Sequence, residues 1–182
     1  VLDPHDEYYG RNELGLKDHP SNKICYYTSN NAHPGTRTLK INLKLIRPNH
    51  FDGVINFSDP QKQLMNMYYK QFGSRWIEAV ILEKKLEVLF RDDTLAVVKR
   101  RLLQVLDLEF SQNQLRCHGI FDLLAGESTI SDIVKELENS QTVIIDTSNF
   151  PSSVELLVGS LIANEIFSYY KHYKVNGRLK DK

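Results

Sequence analysis

The chain has 182 residues, 23 basic against 23 acidic side chains, 41% hydrophobic residues and two cysteines. That length supports a hydrophobic core, and the composition excludes a disordered chain, a collagen-like repeat and a disulfide scaffold. There is no apolar run long enough to span a membrane, no secretory leader pattern at the start, and no net charge to make a simple electrostatic case for nucleic acid.

Residues 8–38 are rich in turn formers, with His19-Pro20, Ser21-Asn22, Ser29-Asn30-Asn31 and His33-Pro34-Gly35 as punctuation, and are expected to be a long surface loop. Leu39, Ile41, Leu43 and Leu45 then alternate with Lys40, Asn42 and Lys44, the period of a strand with one wet face. From Phe57 the period changes. Ser58-Asp59-Pro60-Gln61 is a helix start, with a capping oxygen, Pro in the first turn and Gln three residues on. Leu64, Met67, Tyr68 and Phe72 recur at helical spacing until Gly73. A second helix carries Trp76, Ile77, Val80 and Ile81 inward, with Leu86 or Leu89 as its continuation. A third is capped by Asp93, with Leu95, Val98, Leu102, Val105 and Leu106 as its apolar stripe.

Closely linked helices of this kind pack as an antiparallel bundle. Beyond them, Phe121–Gly126 is a short element closed by Gly, and residues 131–138 suit a helix. Thr142–Asp146 is a continuous apolar run ending in Asp, as in a strand buried on both faces. Ser152 and Glu155 form a second capping box opening a long helix over 152–174, with Val154, Leu157, Val158, Leu161, Ile162, Ile166 and Phe167 inward. Helix, buried strand, loop and helix is the order of an α/β sheet with crossovers. The expected organisation is an α/β core in residues 1–56 and 111–182, interrupted by a helical insertion over 57–110.

Cys25 and Cys117 fit no zinc spacing, and the six histidines include no pair at helical i, i+4 spacing, so two reduced, mostly buried thiols are expected. The chemistry candidates lie at the ends of apolar runs. Asp3, His5, Asp6 and Glu7 follow Val1-Leu2 directly. If that pair ends a buried strand, these groups project from its carboxyl end, where open α/β sheets bind ligands and where carboxylates hold Mg²⁺ or polarise a water. The plainer alternative is a solvated acidic strand end. Asp146 has the place of a Walker B carboxylate, or that of a cap for the turn Asp146-Thr147-Ser148. Lys99-Arg100-Arg101 reads as phosphate contacts or as a solvated helix face. No G-x-x-x-x-G-K-[ST] occurs, so the chain by itself has no P-loop for ATP.

Leu2-Asp3-Pro4-His5-Asp6-Glu7-Tyr8 resembles the DPHGEY motif of HerA-type ATPases, hexameric DNA translocases related to FtsK. Val143–Pro151, with Glu155-Leu156-Leu157 and the long helix, resembles the strand and helix that precede the Walker B segment in that family. The resemblance implies a partial RecA-like P-loop NTPase core with a helical-bundle insertion, in an internal fragment that lacks the P-loop. It implies ATP and Mg²⁺ as cofactors of the whole protein, a homo-oligomeric ring around double-stranded DNA, a NurA-type nuclease as partner in DNA end resection, and a cytoplasmic location without a membrane. Asp3 and Glu7 match the acidic positions of the motif and carry its catalytic role, with Asp3 also the metal position. Asp6 stands where the motif has Gly, a departure that places a carboxylate where close approach or a positive φ suits glycine. Two other readings remain: a non-catalytic protein-interaction module built on the helical bundle, and a metal-dependent hydrolase built on Asp3, His5 and Glu7.

Overall fold

A computed structural model describes residues 1–10, 13–20, 23–29, 34–87 and 91–176. Ser21, Asn22, Asn30, Asn31, His33 and Leu89, invoked above, lie outside the described residues. In chain order the elements are β1 (Leu2–Asp3), β2 (Ile24–Thr28), β3 (Arg37–Thr38), β4 (Ile41–Asn42), α1 (Asp59–Phe72), α2 (Trp76–Ile81), α3 (Asp92–Val105), β5 (Leu108–Ser111), β6 (Gln114–Cys117), β7 (Phe121–Asp122), α4 (Thr129–Glu138), β8 (Thr142–Asp146) and α5 (Ser152–Val175). They form two compact units, one of Val1–Leu39 with Ser128–Lys182 and one of Lys40–Glu127. The divisions thus fall at 39/40 and 127/128, outside the 57–110 limits of the expected insertion.

The first unit is an α/β layer. Its sheet has the order β1-β8-β2-β3 with every neighbouring pair parallel. β8 lies inside the sheet, and Val143, Ile144 and Ile145 are buried, as a continuous apolar run requires. α4 buries Ile130, Ile133 and Val134, and α5 buries Val154, Leu157, Val158 and Leu161. Two details differ from the sequence reading. Pro151 rather than Ser152 occupies the cap of α5, and Glu155 instead accepts the Thr147 hydroxyl at 3.0 Å. Phe167 is exposed, because α5 has run past its buried stripe by that turn.

The larger correction concerns residues 8–38, which are not loop throughout. Ile24-Cys25-Tyr26-Tyr27-Thr28 is an interior strand, pairing β8 from Ile24↔Thr142 to Tyr27↔Ile145 and β3 on its other side. Aromatic and β-branched residues suit a strand covered by neighbours, and the turn formers on both sides masked the run.

The second unit holds α1, α2 and α3 with two small strand pairs, β4-β7 and β5-β6. Its core centres on Trp76, whose indole N–H donates to the Ile46 carbonyl at 2.8 Å, with Phe51 edge-on to the ring. Leu64, Met65, Tyr68, Ile77, Val80, Ile81, Val98 and Leu102 surround it; Met65 rather than Met67 is the buried methionine of α1. Gln61 Oε1 accepts the Ser58 N–H at 3.1 Å at the start of α1, and Gly73, at φ +57°, ends it. α3 begins at Asp92 after an Arg91 cap, which leaves Asp92 and Asp93 in the first turn, where acidic groups favour the helix dipole.

The alternating run Leu39–Leu45 is a strand only at Ile41–Asn42, followed by a 3-10 turn over Leu43–Leu45. Asn42 causes the change. It is buried instead of wet: its amide donates to the Leu123 and Ala125 carbonyls, and its oxygen accepts the Lys44 N–H at 3.0 Å. Gly126 sits against this strand at φ +76°, and a Cβ there would lie 2.2 Å from the Lys40 carbonyl oxygen. The hairpin β5-β6 turns through Gln112 and Asn113, both at positive φ, without the glycine that usually marks such a turn.

Candidate functional site

β1 and β8 run parallel with Leu2 opposite Ile145 and Asp3 opposite Asp146, so two carboxylates stand level at the carboxyl edge of the sheet. Thr28, at the end of β2, closes the row by donating its hydroxyl to Asp146 Oδ2 at 2.8 Å. Asp146 Oδ1 accepts the backbone N–H of Ser148 at 3.1 Å and its hydroxyl at 2.6 Å. This is the capping geometry of the turn Asp146-Thr147-Ser148, the plainer of the two readings of that residue. The Thr147 N–H donates to the Asp3 carbonyl at 3.0 Å, tying the turn to the end of β1.

Asp3 is fully buried, and its two carboxylate oxygens accept the backbone N–H groups of Glu7 (3.2 Å) and Tyr8 (3.0 Å). The side chain folds the loop after β1 back over the edge. Asp6 follows at φ +53°, the left-handed region, so the glycine of the resembling motif marks a true backbone requirement that Asp, a tolerated residue there, also meets. Its carboxylate accepts the Tyr26 hydroxyl at 2.5 Å. Downstream, the Leu16 N–H donates to the Tyr8 carbonyl at 2.9 Å, and Gly10 and Gly15 approach so closely that a Cβ on either would lie 2.5 Å from the other's backbone. His5 and Glu7 are exposed on the outside of this loop.

The chemistry available follows from these positions. The buried Asp3 carboxylate holds one backbone donor on each oxygen, which ties it to the loop and leaves a lone pair on each oxygen for a further partner. Among the described residues no group of three or more His, Cys, Asp or Glu side chains is arranged to hold a metal. Glu7 is the carboxylate of the motif that faces solvent. Tyr26 and Thr28, on the strand that sequence reasoning read as loop, were missed; the run Ile24–Thr28 is their one signal in the sequence.

On the α4 side of β2, Tyr27 donates its hydroxyl to the buried Glu136 carboxylate at 3.0 Å, and Arg37 forms an ion pair with the same carboxylate. Burial first, then the bond to Glu136, raises the Tyr27 phenol well above its usual range. Cys25 and Cys117 are free, half-buried thiols. In the second unit Lys99 pairs with Glu83 at 2.6 Å, and Arg101 donates to the Asn56 carbonyl at 2.6 Å. Two of the three adjacent cations are therefore held by the protein's own groups.

A parallel α/β sheet with acidic residues along its carboxyl edge is compatible with part of a P-loop NTPase-like core. The family profile described as "Helicase HerA, central domain" matches residues 1–166, and the chain belongs to that family, one of ATPases. Neither a curated protein nor a solved structure gives a match. Among the described residues no helix is long and apolar enough to cross a membrane.

Proposed function

We propose that this chain is part of the core of a HerA-type ATP-driven DNA translocase, working in DNA end resection as a ring of identical subunits around duplex DNA with a NurA-type nuclease as partner. The observation that carries the reading is the level end of β1 and β8, with Asp3 beside Asp146 and a pinned loop above them, in a chain of the HerA central-domain family. Residues outside this chain supply the phosphate-binding loop, since no G-x-x-x-x-G-K-[ST] occurs in the 182. ATP and Mg²⁺ belong to the assembled protein, and the chain alone binds neither tightly. The helices α1 to α3 are the helical insertion of that core.

In this reading Asp3 and Glu7 divide the work. Asp3 is the loop's anchor, holding the backbone of residues 7 and 8 from within the sheet edge. Glu7 is the catalytic carboxylate, exposed at the edge where a water would be oriented or deprotonated for attack. The test is Glu7→Gln in an ATPase that unites this chain with its phosphate-binding loop. Turnover is expected to fall about 100-fold or more with nucleotide binding retained; unchanged turnover defeats the reading.

A further inference from the structure

Among the described residues the Glu7 carboxylate has no hydrogen-bond partner, so its place depends on how the loop beneath it is held. Asp3 fixes the loop from below through the N–H groups of Glu7 and Tyr8. The residue just before Glu7 is the left-handed Asp6, a conformation that an L side chain holds only when surrounding contacts favour it. One contact that does so comes from another strand: Tyr26 of β2, 1% exposed, donates its hydroxyl to Asp6 Oδ1 at 2.5 Å. The Tyr26 ring is also stacked on Tyr9, with centroids 4.2 Å apart and planes at 23°, so one buried side chain grips the loop on both sides of Glu7. Hydrogen bonds to a charged acceptor are among the stronger ones in proteins, enough to outweigh one left-handed residue. A glycine at position 6 would relieve the backbone and lose the acceptor.

We propose that Tyr26 is the positioning residue of this edge, its hydroxyl acting through the Asp6 carboxylate to set the backbone that presents Glu7. The inference rests on the catalytic reading of Glu7 for its purpose, and on geometry alone for the latch. Tyr26 touches no reacting group; it acts through Asp6. In a chain with Asp at this place the turn is closed by a side-chain bond between the loop after β1 and the middle of β2, and the two residues function as a pair.

Amide hydrogen exchange measured by NMR on the chain separates the hydroxyl from the ring. Tyr26→Phe keeps the buried ring and its stacking, and Asp6→Gly keeps the left-handed backbone. Each is expected to speed exchange at the Glu7 and Tyr8 amides by about tenfold or more, with the core amides of Ile144 and Leu157 unchanged. Asp6→Asn, which retains an acceptor and tolerates positive φ, restores slow exchange, and the double variant Tyr26→Phe/Asp6→Gly exchanges no faster than the singles. Unchanged Glu7 and Tyr8 exchange in Tyr26→Phe, with the core still protected, overturns the latch. Should Tyr26→Phe lose its core protection, equal exchange in Asp6→Gly and Asp6→Asn overturns it, and slower exchange in Asp6→Asn upholds it. No nucleotide is present in this experiment, so its failure leaves the role of Glu7 standing, whereas full turnover by Glu7→Gln removes that role and leaves the latch.

Discussion

The carboxyl edge of the first unit and the core of the second use buried groups in opposite ways. Among the described residues, the first unit buries Asp3, Thr28, Thr129, Glu136, Asp146 and Thr147, and the second buries only Asn42 and His50 from the polar set. Around Trp76 the packing is apolar, and its single polar edge is closed by one bond to Ile46. At the sheet edge carboxylates are enclosed and each holds backbone or hydroxyl donors. Buried polar groups stabilise little by comparison with apolar packing, and are costly when one partner is lost. Where they concentrate, the fold is specifying a shape, and here the shape is that of the loop carrying Glu7.

The contrast breaks most visibly at Trp76. Trp76→Ala removes a fully buried indole and is expected to cost about 3–5 kcal/mol, read by urea denaturation followed by circular dichroism; a loss under about 1 kcal/mol would mean that the helices do not depend on this core. Thr28→Val, which removes the hydroxyl from Asp146 at nearly constant volume, is expected to cost about 1–3 kcal/mol by the same measurement. Its effect should exceed that of a surface change, and equality with one would show that the edge is held by other means.

His50 gives a pH signature to the second unit. Burial, then the Arg47 charge, lowers its pKa from 6.5 to about 4, and its Nδ1 accepts the Arg47 N–H at 3.0 Å. The unfolded chain therefore binds the proton first. The stability due to neutral His50 is complete above pH 6.5, declines as pH falls from 6.5 to about 4, and is flat below. A His50→Gln variant should lose that part of the acid slope in denaturation series; an unchanged slope would assign it to other groups. The smallest effect is expected at Lys99→Ala, whose ion pair with the half-exposed Glu83 contributes at most about 1 kcal/mol.

Much of the scaffold was legible because its residues agree with their surroundings. Val143–Ile145 within β8 is apolar throughout and buried, and Ser58–Gln61 starts a helix where its chemistry says it should. The failures have local causes. Ile24–Thr28 is only five residues long, flanked by turn formers, and three of its side chains carry polar atoms whose partners (Asp6, Glu136 and Asp146) are remote in sequence. Leu39–Leu45 has the right alternation for a strand, but Asn42 turns inward to bind carbonyls some eighty residues away and redirects the chain. At the site, Asp3 and Glu7 were visible as a motif, yet their different surroundings were not. A pattern of letters does not reveal that one carboxylate is buried and held by backbone donors while its neighbour four residues on faces water.

The central claim is that this chain holds a shaped edge of an ATPase core whose phosphate-binding loop comes from elsewhere. Steady-state ATP hydrolysis by the 182 residues alone, in excess Mg²⁺, tests it most directly. The account predicts no turnover above the buffer rate. Robust turnover that Glu7→Gln abolishes would contradict it, since the chain would then carry a complete nucleotide site of its own.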